Sequence, residues 1–343
     1  MDTNLPLKIS LIIVNYNGLK YLKNCFDSIT KNSYPLEKIE IIMVDNGSND
    51  GSIGYVESNY QWVKILSLDK NYGFAEANNI GVKNAKGEYV VFLNNDIIVT
   101  PDWLSNLVEV MENDVEVGIA GSKILFIDMP GKINAAGGNI TFFGAGYDIG
   151  FMDDDSEKYS VLSNRGCVCA AAMMVRREEF LDFGGFDGDY FMYLEDVDLC
   201  WRYWLYGKKV MYVPTSVVYH KFGGTTSKFR HAPFRVFYGT RNSLLNVIKN
   251  YETHNIPFPL FFSLFYHIFN ILYFLVRLKF NLALLMIKAY GSFLRLFPKI
   301  IAKRREIQKR RKINDRYFFN NSLIVFLFSS FKEFLRLISH VNM

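Results

Sequence analysis

The chain is short of the residues that staple small extracellular folds. Its 343 residues include four cysteines, Cys25, Cys167, Cys169 and Cys200, with no Cys-x-x-Cys pair and no zinc-like grouping of Cys with His. That excludes a disulfide scaffold and a structural zinc site, and it fits a reducing compartment. No basic stretch precedes a long apolar run at the start, MDTNLPLKISLIIVNYNG. The apolar run ends at once in Asn and Tyr, so it reads as a strand rather than a secretory signal. The first turn also lacks Gly-x-Gly-x-x-Gly, which argues against a dehydrogenase. It equally lacks the glycine-rich basic loop expected of a sugar-phosphate nucleotidyltransferase, the rival enzymatic reading.

Charge is scarce overall and missing altogether from one stretch. Net charge is only +5, with Lys and Arg crowded into residues 299–316. Such local basicity suits an anionic surface rather than a nucleic-acid groove. Hydrophobic residues make up 50% and charged residues 21%, the composition of a globular protein and not of a disordered one. Between Thr253 and Val276 there is no Asp, Glu, Lys or Arg.

What is present in the first hundred residues is a repeating unit: a short β-branched run, a polar turn, then an amphipathic stretch. The runs are 9–14, 39–44, 63–66 and 89–93, with helical stretches beginning near Leu19, Asn49 and Ala75. Apolar strands alternating with helices predict a mostly parallel sheet covered on both faces, an α/β fold. Residues 132–159, rich in Gly, Asp and aromatics, read as loops or a small hairpin over that sheet. A buried strand is expected over 167–175, a helix on EDVDLCWRYWLYG stopped by Gly207, and two short strands at 209–213 and 216–220.

In an open parallel sheet, ligands bind beyond the carboxyl ends of the strands. Those ends carry Asn15-Tyr16-Asn17-Gly18, Asp45-Asn46-Gly47-Ser48, Asn71-Tyr72-Gly73 and Asn94-Asn95-Asp96. One such end is what any turn or helix cap looks like. Four in succession, two of them with Asp, describe a ligand rim.

The strings ISLIIVNYNG, IEIIMVDNGSNDGS and NYGFAEANNIGVKNAKGEYVVFLNNDIIV resemble the N-terminal half of family 2 glycosyltransferases of the GT-A fold, in particular the rhamnosyltransferase-like branch. GGFDGDYFMYLEDVDLCWRYWLYG, VVYHKFGGTTS and YGTRNSLLNVIKN agree in order and spacing, so the likeness covers about residues 8–251. It implies an inverting glycosyltransferase that moves a sugar, rhamnose as first guess, from a dTDP- or UDP-sugar to a lipid-linked or glycan acceptor. It also implies site roles. Asp45 would contact the donor base or ribose, with Asn15 and Asn71 lining the nucleotide and Asn95 beside them. Asp96 would hold a divalent cation, Mg²⁺ or Mn²⁺, on the diphosphate. The first acidic position of that motif is Asn94 here, so a single carboxylate is offered, and a hard cation would complete its shell with diphosphate oxygens and water. His220 matches a histidine that reaches the metal or the diphosphate, and Arg241 lies in a stretch near the active site.

Sugar transfer with inversion needs a base for the acceptor hydroxyl. The resemblance gives this role to Asp196, the second acid of LEDVD, while Asp198 is assigned to an i, i+4 pair with Arg202. A retaining glycoside hydrolase also uses two carboxylates but leaves the nucleotide-like rim unexplained. A non-catalytic membrane-bound scaffold of the same fold would have lost Asp96 or Asp196, and both are present.

Two regions follow: a catalytic domain over residues 1–250 and a helical, apolar and basic membrane-associating region over 251–343. The stretch FPLFFSLFYHIFNILYFLV, near 257–276, is about long enough to span a bilayer. Ser263, His267 and Asn270 suit equally a helix lying in the interface. Residues 280–287 are too short to span, and KRREIQKRRK at 303–312 offers charge to anionic head groups. The expected location is the cytoplasmic face of the cell membrane, peripheral or with one C-terminal span.

Overall fold

The computed structural model describes residues 8–221 and 232–326. Its first half repeats one unit: β1 (Ile9–Asn15), α1 (Leu19–Ile29), β2 (Ile39–Asp45), α2 (Ser52–Asn59), β3 (Val63–Ser67), α3 (Gly73–Lys83) and β4 (Tyr89–Leu93). β1 is parallel to both β2 and β4, and β2 to β3. Successive strand residues point to opposite faces. Ile9, Leu11 and Ile13 of β1 therefore enter the apolar layer that also holds Leu22 and Phe26 of α1. Ile12 enters the other layer, with Ala75 and Ala77 of α3. α1 presents Leu22, Cys25, Phe26 and Ile29 to the sheet at helical spacing.

After β4 come β5 (Ile97–Val99), α4 (Trp103–Asn113), the fully buried β6 (Val117–Phe126), β7 (Ile133–Ala135), β8 (Gly138–Thr141), β9 (Gly146–Asp148), β10 (Ser163–Asn164) and β11 (Ala172–Arg176). Then follow α5 (Arg177–Asp182), α6 (Glu195–Leu205), β12 (Lys209–His220), α7 (Pro233–Asn250), α8 (Pro257–Val276), α9 (Phe280–Arg310), α10 (Asp315–Asn320) and β13 (Ile324–Val325). The main sheet runs β10-β12-β6-β11-β4-β1-β2-β3, with β5 on β12 and β7 on β6. β11 is antiparallel to both neighbours, so the sheet is parallel at one end and mixed at the other. β8, β9 and β13 form a second small sheet.

Two local expectations change and one holds. The strand expected over 167–175 starts only at Ala172, because Cys167 turns away to bridge Gly138 of β8. The two strands expected at 209–213 and 216–220 are one strand, β12, whose register on β6 slips between Val213 and Val217. Pro214 lies in that slip, where a residue without an N–H is tolerated. Residues 132–159 hold three short strands, and the β8–β9 hairpin is among them.

The chain beyond Asn250 is packed on the residues before it. Phe293 and Ile300 of α9 share an apolar cluster with Leu244, Leu245 and Ile248 of α7, and β13 pairs with β8. Residues 280–287, taken alone too short to span, are the first turns of the 31-residue α9. The basic run is also differently employed than expected. Arg304 donates to the carbonyls of Ile248 (2.7 Å) and Tyr251 (2.6 Å), Arg310 pairs with Asp182 (2.8 Å), and Arg311 with Asp315 (3.0 Å). Most of that charge thus fastens α9 to the protein instead of facing an anionic surface. Carbonyls at the end of α7 need donors, and the long Arg side chains supply them.

Candidate functional site

The rim forms where β1, β2 and β4 end. Asn15, wholly buried, donates to Asp45 Oδ2 (3.0 Å) and Ser48 Oγ (3.2 Å), and accepts from Asn95 Nδ2 (2.7 Å). Asp45 Oδ1 takes the Ser48 N–H at 2.9 Å. Three of the expected rim residues, Asn15, Asp45 and Asn95, thus form one hydrogen-bonded chain across three strands. A Cβ on Gly18 would stand 2.1 Å from Asn95 Nδ2, so only glycine fits under this chain. Asn71 sits apart from it: its Oδ1 accepts from Asn46 Nδ2 (3.0 Å) and the Gly73 N–H (2.8 Å), which shapes the turn into α3.

Asp96 and His220 meet because β5 pairs antiparallel with β12, Ile97 opposite His220. His220 Nε2 lies 3.2 Å from Asp96 Oδ1, at ion-pair distance. His220 Nδ1 is 3.0 Å from Asn134 Oδ1, which holds the ring. The buried Asp96 Oδ1 has no hydrogen-bond partner in line with it. A buried carboxylate oxygen left in this condition beside an imidazole nitrogen is a donor set that suits a divalent cation. Among the described residues no group of three or more His, Cys, Asp and Glu side chains gathers to hold a metal. Other ligands would have to come from a diphosphate and water. Residues 222–227 of the VVYHKFGGTTS string lie outside the described residues.

Asp196 stands in the first turn of α6. Its Oδ1 accepts the Val197 N–H (2.8 Å) and its Oδ2 the Ala170 N–H (3.2 Å). Ala171, next along, accepts the Asn94 N–H at 3.0 Å. Two consecutive alanines just before β11 therefore bridge Asp196 to the Asn94–Asp96 segment. Burial raises the Asp196 carboxyl above the usual range, against the opposing pull of these amides. Its neighbour Glu195 is raised well above its usual value by burial and by Asp196, and Glu195 Oε2 has no partner. Asp198 faces the other way, wholly buried, paired with Arg202 at 2.9 Å and Lys249 at 2.8 Å.

The loop into α6 is conformationally costly. Phe191, Tyr193 and Leu194 all have φ between +64° and +67°, a region that L-residues disfavour by about 1–2 kcal/mol each. α7 holds it in place. Asn242 Nδ2 donates to the carbonyls of Tyr190, Met192 and Tyr193 at 3.1, 3.0 and 2.8 Å. Arg241 Nη2 donates to Asp189 O (2.6 Å) and Tyr190 O (2.9 Å), and its Nε to Asn242 Oδ1 (2.9 Å). Arg241 is thus spent on the backbone of this loop and does not join the rim, because its guanidinium is the nearest strong donor to two inward carbonyls. From the loop, Phe191 O caps the start of α3, accepting the Phe74 N–H at 2.6 Å. The rim and α6 are thus one connected structure.

Residues 10–182 match the family model for Glycosyl transferase family 2. The chain belongs to that family. Over 225 residues it is 28% identical to the rhamnosyltransferase WbbL of Escherichia coli K12, covering 62% of this chain and 83% of WbbL. Over 116 residues it is 37% identical to the glycosyltransferase GlyG of Streptococcus pneumoniae, covering 32% of this chain and 38% of GlyG. It likewise spans 42% of the glycosyltransferase AglE of Haloferax volcanii and 24% of a Sinorhizobium fredii protein, so several curated relatives are far longer than the matched stretch. Among solved structures, S. aureus TarS 1–349 in complex with UDP-GlcNAc superposes with a TM-score of 0.58 at 17% identity, over 88% of each chain. Mannosyltransferase PcManGT from Pyrobaculum calidifontis, in complex with GDP-Man and Mn²⁺, gives 0.55 at 18% identity, over 85% of this chain and 88% of the other. At these identities the likeness is one of fold, and this family 2 chain has the GT-A fold.

Two residues near these elements escaped the sequence reading. Asn242 stands beside Arg241 in GTRNS, and only the loop carbonyls around it show its use. Asp148 lies in the Gly- and Asp-rich stretch, where nothing but its setting separates it from Asp153, Asp154 and Asp155.

Proposed function

We propose that this chain is an inverting glycosyltransferase that uses a nucleotide-diphosphate sugar, with UDP- and dTDP-sugars first and rhamnose the leading sugar. The observation that carries the reading is the bridge through Ala170 and Ala171, which ties the Asp196 carboxylate to the segment bearing Asp96. One displacement needs these two ends of the reaction in fixed relation. The Asp196 carboxylate takes the acceptor hydroxyl proton while that oxygen bonds to the anomeric carbon. The anomeric carbon–oxygen bond to the diphosphate breaks, and the diphosphate leaves with the electron pair. Asn15, Asp45 and Asn95 would hold the nucleoside, and Asn71 would shape the turn beside it. Asp96 and His220 would hold Mg²⁺ or Mn²⁺, which when bound supplies positive charge to the leaving diphosphate.

The acceptor reading, a lipid-linked sugar at a membrane surface, is supported by α8 and α9. Both helices are long and apolar enough to cross a membrane by length and composition. Phe258, Phe261, Phe265, Phe269 and Leu272 share one exposed face of α8, and Phe280, Leu284, Ile287 and Leu294 one face of α9. The opposite face of α8 carries buried Ser263 and His267, and His267 Nδ1 is 2.9 Å from Tyr290 Oη of α9. Each helix is therefore one-sided, which favours lying against the bilayer surface over crossing it. Charge helps at the edge of this face, where Arg277 and Lys279 join the two helices.

The test is turnover. UDP- and dTDP-sugars are incubated with the full chain, Mn²⁺ and a panel of octyl glycosides in lipid nanodiscs, and the product's anomeric configuration is read by NMR. An inverted glycoside is expected. A retained configuration, or no glycoside formed at all, would sink the reading.

A further inference from the structure

Resting on that transferase reading, we infer that Asp148 is an acceptor-binding residue, whose carboxylate grips a sugar hydroxyl adjacent to the one that Asp196 deprotonates. The geometry begins at Gly146. A Cβ there would stand 2.9 Å from Val197 Cγ2, so this end of β9 lies directly on the first turn of α6. Residues two apart on a strand share a face, about 6.8 Å along. Asp148 therefore points to the same side as Gly146, one step farther along the strand edge that faces the first turn of α6. Cys167 and Cys169, which flank Val168, lie within electrostatic reach of both carboxylates.

The hairpin that carries Asp148 is held rigidly. Asn246 Nδ2 donates to Gly144 O (2.7 Å), Tyr251 Oη to Phe142 O (3.2 Å), and β13 pairs with β8 along the other edge. A residue so fixed yet exposed at the end of β9 is arranged to meet a molecule that approaches the first turn of α6. Protein mass around it and the charge of Asp196 lift its carboxyl to about 6, while Arg235 and His220 oppose the rise. At neutral pH it is ionised and can only accept hydrogen bonds, and with two oxygens it suits the neighbouring hydroxyls of a sugar. Asp196 has its two oxygens engaged by the amides of Val197 and Ala170 and is aimed; Asp148 is free to receive.

The test uses the full chain, the donor found active, and the octyl glycoside that serves as acceptor. Asp148→Asn is expected to raise the KM for that glycoside by about 10–100-fold, the scale of a lost hydrogen bond to a charged group, with kcat reduced far less. UDP or dTDP binding, read as a thermal shift, should be unchanged. Asp148→Glu should recover part of the affinity. Monodeoxy analogues give the pairing: removing the hydroxyl beside the reacting one should penalise wild type but not Asp148→Asn. An acceptor KM within twofold of wild type, or a loss confined to kcat, overturns the inference while leaving the transferase reading intact. If wild type transfers sugar to no glycoside although it binds nucleotide, the transferase reading itself fails and takes this inference with it.

Discussion

Lys303 of α9 places its Nζ 2.6 Å from Asp189 Oδ2, in the loop that leads to the Asp196 helix, and it also contacts Asp187. Asp187 in turn binds Lys249 at 2.6 Å, and Lys249 binds Asp198 of α6 at 2.8 Å. α9 is thereby linked, through five charged side chains, to the loop that leads into α6 and to α6 itself. Burial would raise the Asp187 carboxyl, but Lys249 and Lys303 outweigh it and hold it well below the usual range.

Lys249 is the keystone of this cluster because it is buried between two carboxylates. Lys249→Met leaves Asp187 and Asp198 short of a partner in the interior, a loss of about 3–5 kcal/mol. Lys303→Met acts at a more open position and should cost about 1 kcal/mol or less. Chemical denaturation of the two variants checks the order.

Asp196→Asn should lower kcat by about 10²–10⁴-fold with nucleotide binding nearly intact. Asp198→Asn is expected to lower stability by more than activity per folded molecule, since its carboxylate is committed to Arg202 and Lys249. Kinetics and melting curves of both variants separate the roles, and a near-normal rate for Asp196→Asn would remove that residue from the chemistry.

Asp96→Ala should make nucleotide affinity insensitive to Mn²⁺, with the wild type gaining affinity as the cation is added. Calorimetric titration of UDP and dTDP with and without chelator checks it. Equal affinities in chelator and in Mn²⁺ for the wild type would show that the diphosphate is managed without a cation.

The acid limb of kcat should lie above the ordinary carboxylate range. A base must be ionised to take a proton, so a raised pKa means the rate climbs only as pH passes that raised value. Asp196 is raised by burial, against the opposing pull of the backbone amides it accepts from. A pH–rate profile of the wild type checks it, and an acid limb at the ordinary carboxylate value would take Asp196 out of that role.

Phe261→Ser with Phe265→Ser should release the chain from lipid vesicles while leaving its melting temperature within a degree or two, because both rings are more than half exposed. Co-sedimentation with anionic and neutral vesicles reads the effect. Cutting the chain after Tyr251 is the wrong test: it strips α9 from α7 and β13 from β8.

How much of this was legible in the residues alone follows from the range of the interactions involved. Strand and helix periodicity is local, so the alternating units of the first hundred residues, the polar ends of their strands and the charge-free stretch after Thr253 could be read directly. The paired carboxylates of LEDVD carried no local sign of their difference. Asp198 turned inward to Lys249 and Asp196 outward to Ala170, and helix phase against a packed neighbour made that choice. The basic run looked like a partner for anionic lipid because its own acceptors, the carbonyls ending α7 and Asp182, lie 53 to 128 residues away in sequence. Arg241, placed by its stretch near the active site, proved to brace two carbonyls of the loop before α6. Sequence by itself determined the α/β layering and which strand ends bear polar groups, since these depend on neighbours within a few residues. Which of those groups meet, which are spent on the backbone, and which stay open was decided only when distant segments packed together and satisfied one another's hydrogen bonds and charges.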